Sequence, residues 1–169
     1  MIKDSKSAES LAKILSEALP YIQKFSGKIV VIKYGGSAMK ENKLRQNFAR
    51  DIALMRQIGI FPVLVHGGGP QIERNLKKHN IKSVFIDGLR KTDENSIKTI
   101  VKTLREVNGD IAELINTWGA KTKTFNDVRE SILICKKIKT KMDLGFVGDI
   151  TKVDGSLIKK NIFSGKIPV

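Results

Sequence analysis

The sequence predicts an α/β fold: a three-layer αβα sandwich around a mainly parallel open sheet, with a β-hairpin region and an N-terminal amphipathic helix. Three observations predict it. Two β-branched apolar runs, Val30-Val31-Ile32-Lys33-Tyr34-Gly35-Gly36-Ser37 and Val63-Leu64-Val65-His66-Gly67-Gly68-Gly69-Pro70-Gln71-Ile72, stop at glycines and pass into helical patterns, as a buried parallel strand hands over to a helix. Strand and helix patterns then alternate as far as Ile115. Beyond Trp118-Gly119 the apolar runs shorten and polar turns join them.

Taken in order, Leu11, Ile14, Leu15, Ala18, Leu19 and Ile22 recur at helical spacing, which predicts an amphipathic helix over about 7–25, interrupted near Pro20. Two readings of it stand: a helix lying on its own domain, or an arm that packs on another subunit. A strand follows at Lys28–Lys33, then a helix over about 42–57 whose inner face is Leu44, Phe48, Ile52 and Met55. The second strand spans Ile60–Val65, and the helix after it starts at Gly69-Pro70, where proline suits the first helical position, and stops near Asn80. Ser83–Ile86 reads as a short strand and Asp87-Gly88 as a turn. Thr92 is the expected N-cap of a long helix, with Asp93 and Glu94 in its first turn complementing the dipole. Residues 121–125, 131–138 and 146–153 read as short strands of an antiparallel hairpin region, 154–163 as a helix and 166–169 as the start of another strand. The expected division is an arm over 1–26 and a lobe over 27–169.

At 169 residues the chain can bury one real core. With 41% apolar and 6% aromatic residues, and no apolar stretch near the ~20 residues of a membrane span, the composition is that of a soluble domain. Asp4, Glu9 and Glu17 argue against a transit peptide, and Cys135, standing alone, excludes a disulfide framework or a cysteine metal site. These features point to the cytoplasm. The 31 basic against 17 acidic residues leave a formal charge of +14, which suits either a nucleic-acid footprint or a surface that draws in anionic substrates. The basic residues are scattered, at Lys40, Lys77, Lys102, Lys136 and Lys159 for example, and no nucleic-acid motif accompanies them, so the second reading is preferred.

The glycine turns are the chemical signal. Glycines at a strand-to-helix junction let bare N–H groups approach a ligand where the helix dipole favours negative charge. There is no G-x-x-x-x-G-K-[ST] loop and no G-x-G-x-x-G fingerprint. His66-Gly67-Gly68-Gly69 matches an esterase oxyanion motif, but Gly35-Gly36-Ser37-Ala38-Met39 fails as the matching G-x-S-x-G elbow. What remains is a pair of anion-binding turns with Lys33 at the end of a buried strand. Lys33 either snorkels to solvent or, beside Gly35-Gly36 and opposite the second turn, faces an anion in the crevice.

The motifs V-I-K-Y-G-G-S-A-M from Val31, P-V-L-V-H-G-G-G-P-Q-I from Pro62 and F-I-D-G-L-R-K-T-D from Phe85, with Val107-Asn108 and D-L-G-F-V-G-D-I from Asp143, make the chain resemble the amino-acid kinase family. Within that family the D-G-L-R-x-T-D element is similar to the branch that phosphorylates N-acetyl-L-glutamate on its γ-carboxylate in arginine biosynthesis. The resemblance implies ATP with Mg2+ as cosubstrate, Lys33 as transition-state stabiliser, and Gly35 and Gly36 approaching the ATP phosphates. It implies that Gly68, Gly69 and Arg90 bind N-acetyl-L-glutamate, Arg90 through the α-carboxylate. No metal-ligating residue is expected among the site residues. Arg90 otherwise pairs with Asp87 or Asp93 on the surface, Gly67–Gly69 form only a tight turn, His66 is a packed histidine and His79 meets the last carbonyls of its helix.

Two departures from the family pattern stand out. A glycine-rich segment expected after Trp118-Gly119-Ala120 is replaced by Lys121–Ile132, without glycine. The chain also stops where the resemblance places the nucleotide lobe, so the ATP site is expected to be incomplete and this chain alone to have little kinase activity. The N-terminal helix resembles the arm of arginine-inhibited oligomeric members, which implies arginine as a feedback ligand and a homo-oligomer built through the sheet lobe and the arm. The alternative is a non-catalytic, arginine-sensing domain like that of acetylglutamate synthases.

Overall fold

The computed structural model describes residues 5–39, 41–127 and 130–169. Residues 1–4 of the expected arm, Lys40, and Val128 and Arg129 of the divergent segment lie outside these. Helix α1 (Ser5–Phe25) precedes strand β1 (Ile29–Tyr34), which passes through a 3-10 turn (Gly36–Met39) into α2 (Asn42–Gln57). Then come β2 (Phe61–His66), α3 (Gly69–Lys78), β3 (Phe85–Ile86), β4 (Leu89–Arg90) and α4 (Glu94–Asn116). Strands β5 (Lys121–Lys123), β6 (Leu133–Lys137) and β7 (Gly148–Val153), helix α5 (Gly155–Phe163) and strand β8 (Lys166–Pro168) complete the chain.

Strands β1 and β2 pair in parallel from Ile29↔Phe61 to Tyr34↔His66. Strands β5 and β8 form a second parallel pair, and β8 lies against β2. Helices α2 and α4 cover one face of this sheet, where Tyr34, Ile52, Leu64, Ile111, Ile115 and Ile167 form the main core. The Phe48 ring stacks on Tyr34 with centroids 3.8 Å apart. Helix α3 packs on α4 through Ile72, Leu76 and Ile100, and Asn75 Nδ2 donates to the buried Thr103 Oγ1 at 2.9 Å. The α/β architecture is thus the one expected from the alternating pattern.

The other sheet face is only partly covered. Phe163 of α5 meets Phe61 edge-on at 5.8 Å, while Ile29, Val31 and Val65 are 41%, 67% and 54% exposed. Lys33 shares this face, because it lies two residues beyond Val31 and opposite Val65.

Several expectations are corrected. Pro20 does not interrupt α1: the helix is continuous, and since its residues are largely exposed, the carbonyl freed by the missing N–H can be met by water. Leu11, Ile14, Leu15, Leu19 and Phe25 are between 40% and 61% exposed, so α1 does not lie on its own domain. Asp93, not Thr92, caps α4: its Oδ1 accepts from Ser96 N and Ser96 Oγ, each at 2.8 Å. Thr92 is instead buried and bridged to Gly145. The strand read at 83–86 is a miniature hairpin, since Asp87 and Gly88, both at positive φ, turn the chain into β4. Strand β5 pairs in parallel with β8, so of the strands expected in the hairpin region only β6 and β7 pair antiparallel. Leu44, expected on the inner face of α2, is 40% exposed. No helix among the described residues is long and apolar enough to cross a membrane.

Candidate anion-binding site

Parallel pairing brings the two glycine turns together. With Tyr34 opposite His66, both strands end at the same level, and Gly67 N donates to Tyr34 O at 2.9 Å. The second turn is therefore fastened to the start of the first, where Gly35 leaves β1 in open space: a Cβ there would meet nothing within 4 Å. Gly36 opens the 3-10 turn.

Gly68 is the N-cap residue of α3 and Gly69 its first residue. Pro70 has no N–H and no side chain caps the helix, so the first-turn N–H groups are left for a ligand or water. Gly68 is buried beneath α4, and a Cβ there would stand 2.7 Å from Leu104 Cδ2. Lys33, at the end of β1, pairs with no acid among the described residues. An exposed ammonium thus stands one strand away from an uncapped helix terminus.

Arg90 is held differently from the sequence reading. It pairs with neither Asp87 nor Asp93: Nη1 bonds Glu73 Oε2 at 3.0 Å and donates to Ser83 Oγ, and the guanidinium lies 4.5 Å over the Phe85 ring. Ser83 Oγ also donates to Glu73 Oε2, at 2.7 Å, and the bonds from Ser83 and then Arg90 hold the Glu73 carboxyl below the usual range. Glu73 sits one helical turn beyond Gly69, so this cluster ties the β3–β4 hairpin to the flank of α3. Nε and Nη2 of Arg90 meet no acceptor among the described residues, leaving part of the donor fork free. Glu73 and Ser83 were not read from the sequence, because nothing local links positions 73, 83 and 90.

His66 is partly buried and bonded at both ring nitrogens, to Gly67 O at 2.7 Å and to Asn108 Nδ2 at 3.0 Å. Asn126 Nδ2 in turn donates to Asn108 Oδ1 at 2.9 Å. The His79 side chain is exposed, and among the described residues only its backbone N–H, not its ring, reaches the last carbonyls of α3. A cavity of about 360 Å³ adjoins the two turns between α2, α3 and α4, lined by Tyr34, Met39 and Pro70 beside them and by Arg45, Arg74 and Asp110 farther out. None of Lys33, Gly35, Gly68, Gly69 and Arg90 lines it, and the convergence of strand ends is the better guide to chemistry.

Joined glycine turns at neighbouring parallel-strand ends, a lysine without an acidic partner among the described residues on one and an uncapped helix on the other, make a candidate anion-binding crevice in an α/β protein. The model of the amino acid kinase family matches residues 28–169, and the chain belongs to that family. It is 47% identical over 159 residues to acetylglutamate kinase of Clostridium beijerinckii, an alignment covering 94% of this chain and 56% of that protein. It is 42% identical over 181 residues to acetylglutamate kinase of Stutzerimonas stutzeri, covering 100% of this chain and 60% of that protein. The chain thus spans little more than half the length of these relatives. Among solved structures, N-acetylglutamate synthase from Neisseria gonorrhoeae, complexed with coenzyme A and N-acetyl-glutamate, matches with a TM-score of 0.77 at 24% identity, over 91% of this chain and 35% of that one. At that identity the likeness is one of fold alone.

Proposed function

We infer that this chain is the N-acetyl-L-glutamate-binding part of an ATP-dependent kinase that phosphorylates the γ-carboxylate. The observation that carries the reading is the Gly67 N to Tyr34 O hydrogen bond, which sets the two glycine turns side by side with Lys33 at their edge. Identity of 42–47% to acetylglutamate kinases supports the substrate.

The chemistry asks little of the protein beyond placement. A γ-carboxylate with a pKa near 4 is already ionised at neutral pH, so no general base is needed. One of its oxygens attacks the γ-phosphorus of ATP, forming the acyl phosphate as the bond to ADP breaks and its electron pair leaves with ADP. The barrier lies in bringing two anions together and neutralising the transferring group. Lys33 supplies positive charge there, the Gly35-Gly36 turn lets backbone approach the phosphates, and the first N–H groups of α3 at Gly68 and Gly69 receive the substrate. The free donors of Arg90 fit the α-carboxylate as a planar fork. Mg2+ would arrive with ATP; among the described residues no group of three or more His, Cys, Asp or Glu gathers to hold a metal, and no step here is routed through the ion.

Because the relatives are longer, the test is binding rather than turnover. Calorimetric titration of the 169-residue chain with N-acetyl-L-glutamate should show one site. Arg90→Lys, which loses the fork, should weaken it about tenfold, while Lys33→Ala, whose partner is the transferring phosphoryl group, should change it less than about threefold. Binding of L-arginine without any binding of N-acetyl-L-glutamate would replace this reading with the arginine-sensing one.

A further inference from the structure

We propose that His66 is a positioning residue, held by a relay from Asn126 through Asn108, which locks the second glycine turn with its Gly68 N–H aimed for an anion. The proposal rests on the reading of that turn as the substrate site.

The direction of the relay follows from its polar atoms. Asn126 Nδ2 donates to Asn108 Oδ1, so the amide nitrogen of Asn108 faces His66 Nε2. Nε2 must then accept, which places the ring proton on Nδ1, where it donates to Gly67 O at 2.7 Å. Flipping both amides and moving the proton to Nε2 would set a bare Nδ1 against the Gly67 carbonyl, two acceptors at hydrogen-bond distance. For a neutral ring the carbonyl therefore fixes the direction of the whole chain.

The consequence reaches the ligand side through the planarity of one peptide. In a trans peptide the C=O of Gly67 and the N–H of Gly68 point in opposite directions, so anchoring the carbonyl to His66 orients the Gly68 N–H away from it. Gly67 needs such an anchor: it has no side chain to restrain its rotation, and a Cβ there would meet nothing within 4 Å. Its own N–H is already held by Tyr34 O, and His66 removes the remaining freedom. A turn ordered before the ligand arrives spares the entropy of ordering it at binding.

The relay also gives the glycine-poor segment after Ala120 a task. Asn108 is 6% exposed on α4, where its carbonyl oxygen needs a donor, and Asn126 of that segment provides it. A segment that departs from the family pattern thus reaches the glycine turn indirectly, through a helix residue and a histidine.

Two side-chain variants separate positioning from packing. Asn at position 66 keeps an N–H close to the place of Nδ1, whereas Gln keeps a polar group close to Nε2 and offers nothing to Gly67 O. With N-acetyl-L-glutamate as the calorimetric probe, His66→Asn should stay within about threefold of the parent and His66→Gln should lose about tenfold, with similar melting temperatures. Asn126→Ala should lose about threefold through the relay. Equal affinities for the two His66 variants would overturn the proposal. A second measurement needs no ligand: 15N shifts of the histidine ring should show Nδ1 protonated and Nε2 bare, a preference that Asn108→Leu weakens. An Nε2-protonated neutral ring would refute the relay even if the substrate binds. A chain that binds no N-acetyl-L-glutamate but shows the Nδ1 proton would remove the substrate reading and leave the relay standing.

Discussion

At Gly145 the backbone has φ +71, and a Cβ there would collide with the Thr92 carbonyl oxygen. Thr92 N donates to Leu144 O at 2.9 Å and Phe146 N to Thr92 O at 2.7 Å, so this glycine lets the 143–146 segment clamp the residue just before the α4 cap. Gly145→Ala should cost roughly 2–4 kcal/mol by thermal or urea unfolding, because both the dihedral and the space are wrong for a side chain. Carboxylates at the turns set the acid limit of stability. Hydrogen bonds from Ser96 to Asp93, from Lys137 to Asp143 and from Ser156 to Asp154 hold each below its ordinary value. A carboxyl whose folded pKa lies below the unfolded one stabilises the fold above the unfolded value, about 4, and loses that contribution as pH falls through the folded one. Melting temperature should stay level down to about pH 4 and then fall. Asp93→Ala should lower it at pH 7, and by progressively less as pH falls through the depressed pKa of the parent cap.

Helix α1 and the β3–β4 hairpin are the elements whose roles depend on what they touch. The apolar stripe of α1 is uncovered by the rest of the chain, and such a stripe on a two-sided helix calls for a partner surface. Removing residues 1–25 should leave the melting temperature of the remainder nearly unchanged while lowering the oligomeric state measured by light scattering; an unchanged oligomeric state would count against the arm. The hairpin presents Arg90 through a two-residue turn in which Asp87 has φ +50 and Gly88 φ +78. Gly88→Val should cost about 1–2 kcal/mol locally and weaken N-acetyl-L-glutamate binding, since the strained turn releases the strand that carries Arg90.

Across the whole molecule, the sheet is covered by α2 and α4 on one face and by little beyond Phe163 on much of the other. Parallel sheets normally bury both faces, so Ile29, Val31 and Val65 mark a surface made to be covered. Lys33 opens onto the same side, which places the proposed phosphoryl-neutralising charge at the edge of that surface. Val31→Thr, which keeps the β-branch, should leave the melting temperature within about 2 °C, because the side chain is already 67% exposed, and should reduce self-association at high concentration. The net charge of +14 adds a long-range attraction, so affinity for an anionic substrate should fall as salt rises.

The sequence by itself determined the α/β class, the two strand-to-helix handovers and the residues of the glycine turns. These depend on local chemistry: β-branched runs, glycine at a junction, proline at a first helical turn. It also marked Lys33 and Arg90, through motifs rather than through their surroundings. Only the tertiary structure decided what those residues meet. Arg90 is fastened by Glu73 and Ser83, from two other segments, where its near neighbours Asp87 and Asp93 had been the local candidates. The short segment at 121–123 looked like part of a hairpin, yet it pairs in parallel with β8, more than forty residues on, because partner choice is a long-range matter that short strands do not encode. His66 read as a packed ring, and only the fold brought Asn108 of α4, and Asn126 behind it, to that ring. A hydrogen bond between distant segments leaves no period in a sequence, and its partner is known only once the chain has closed around it.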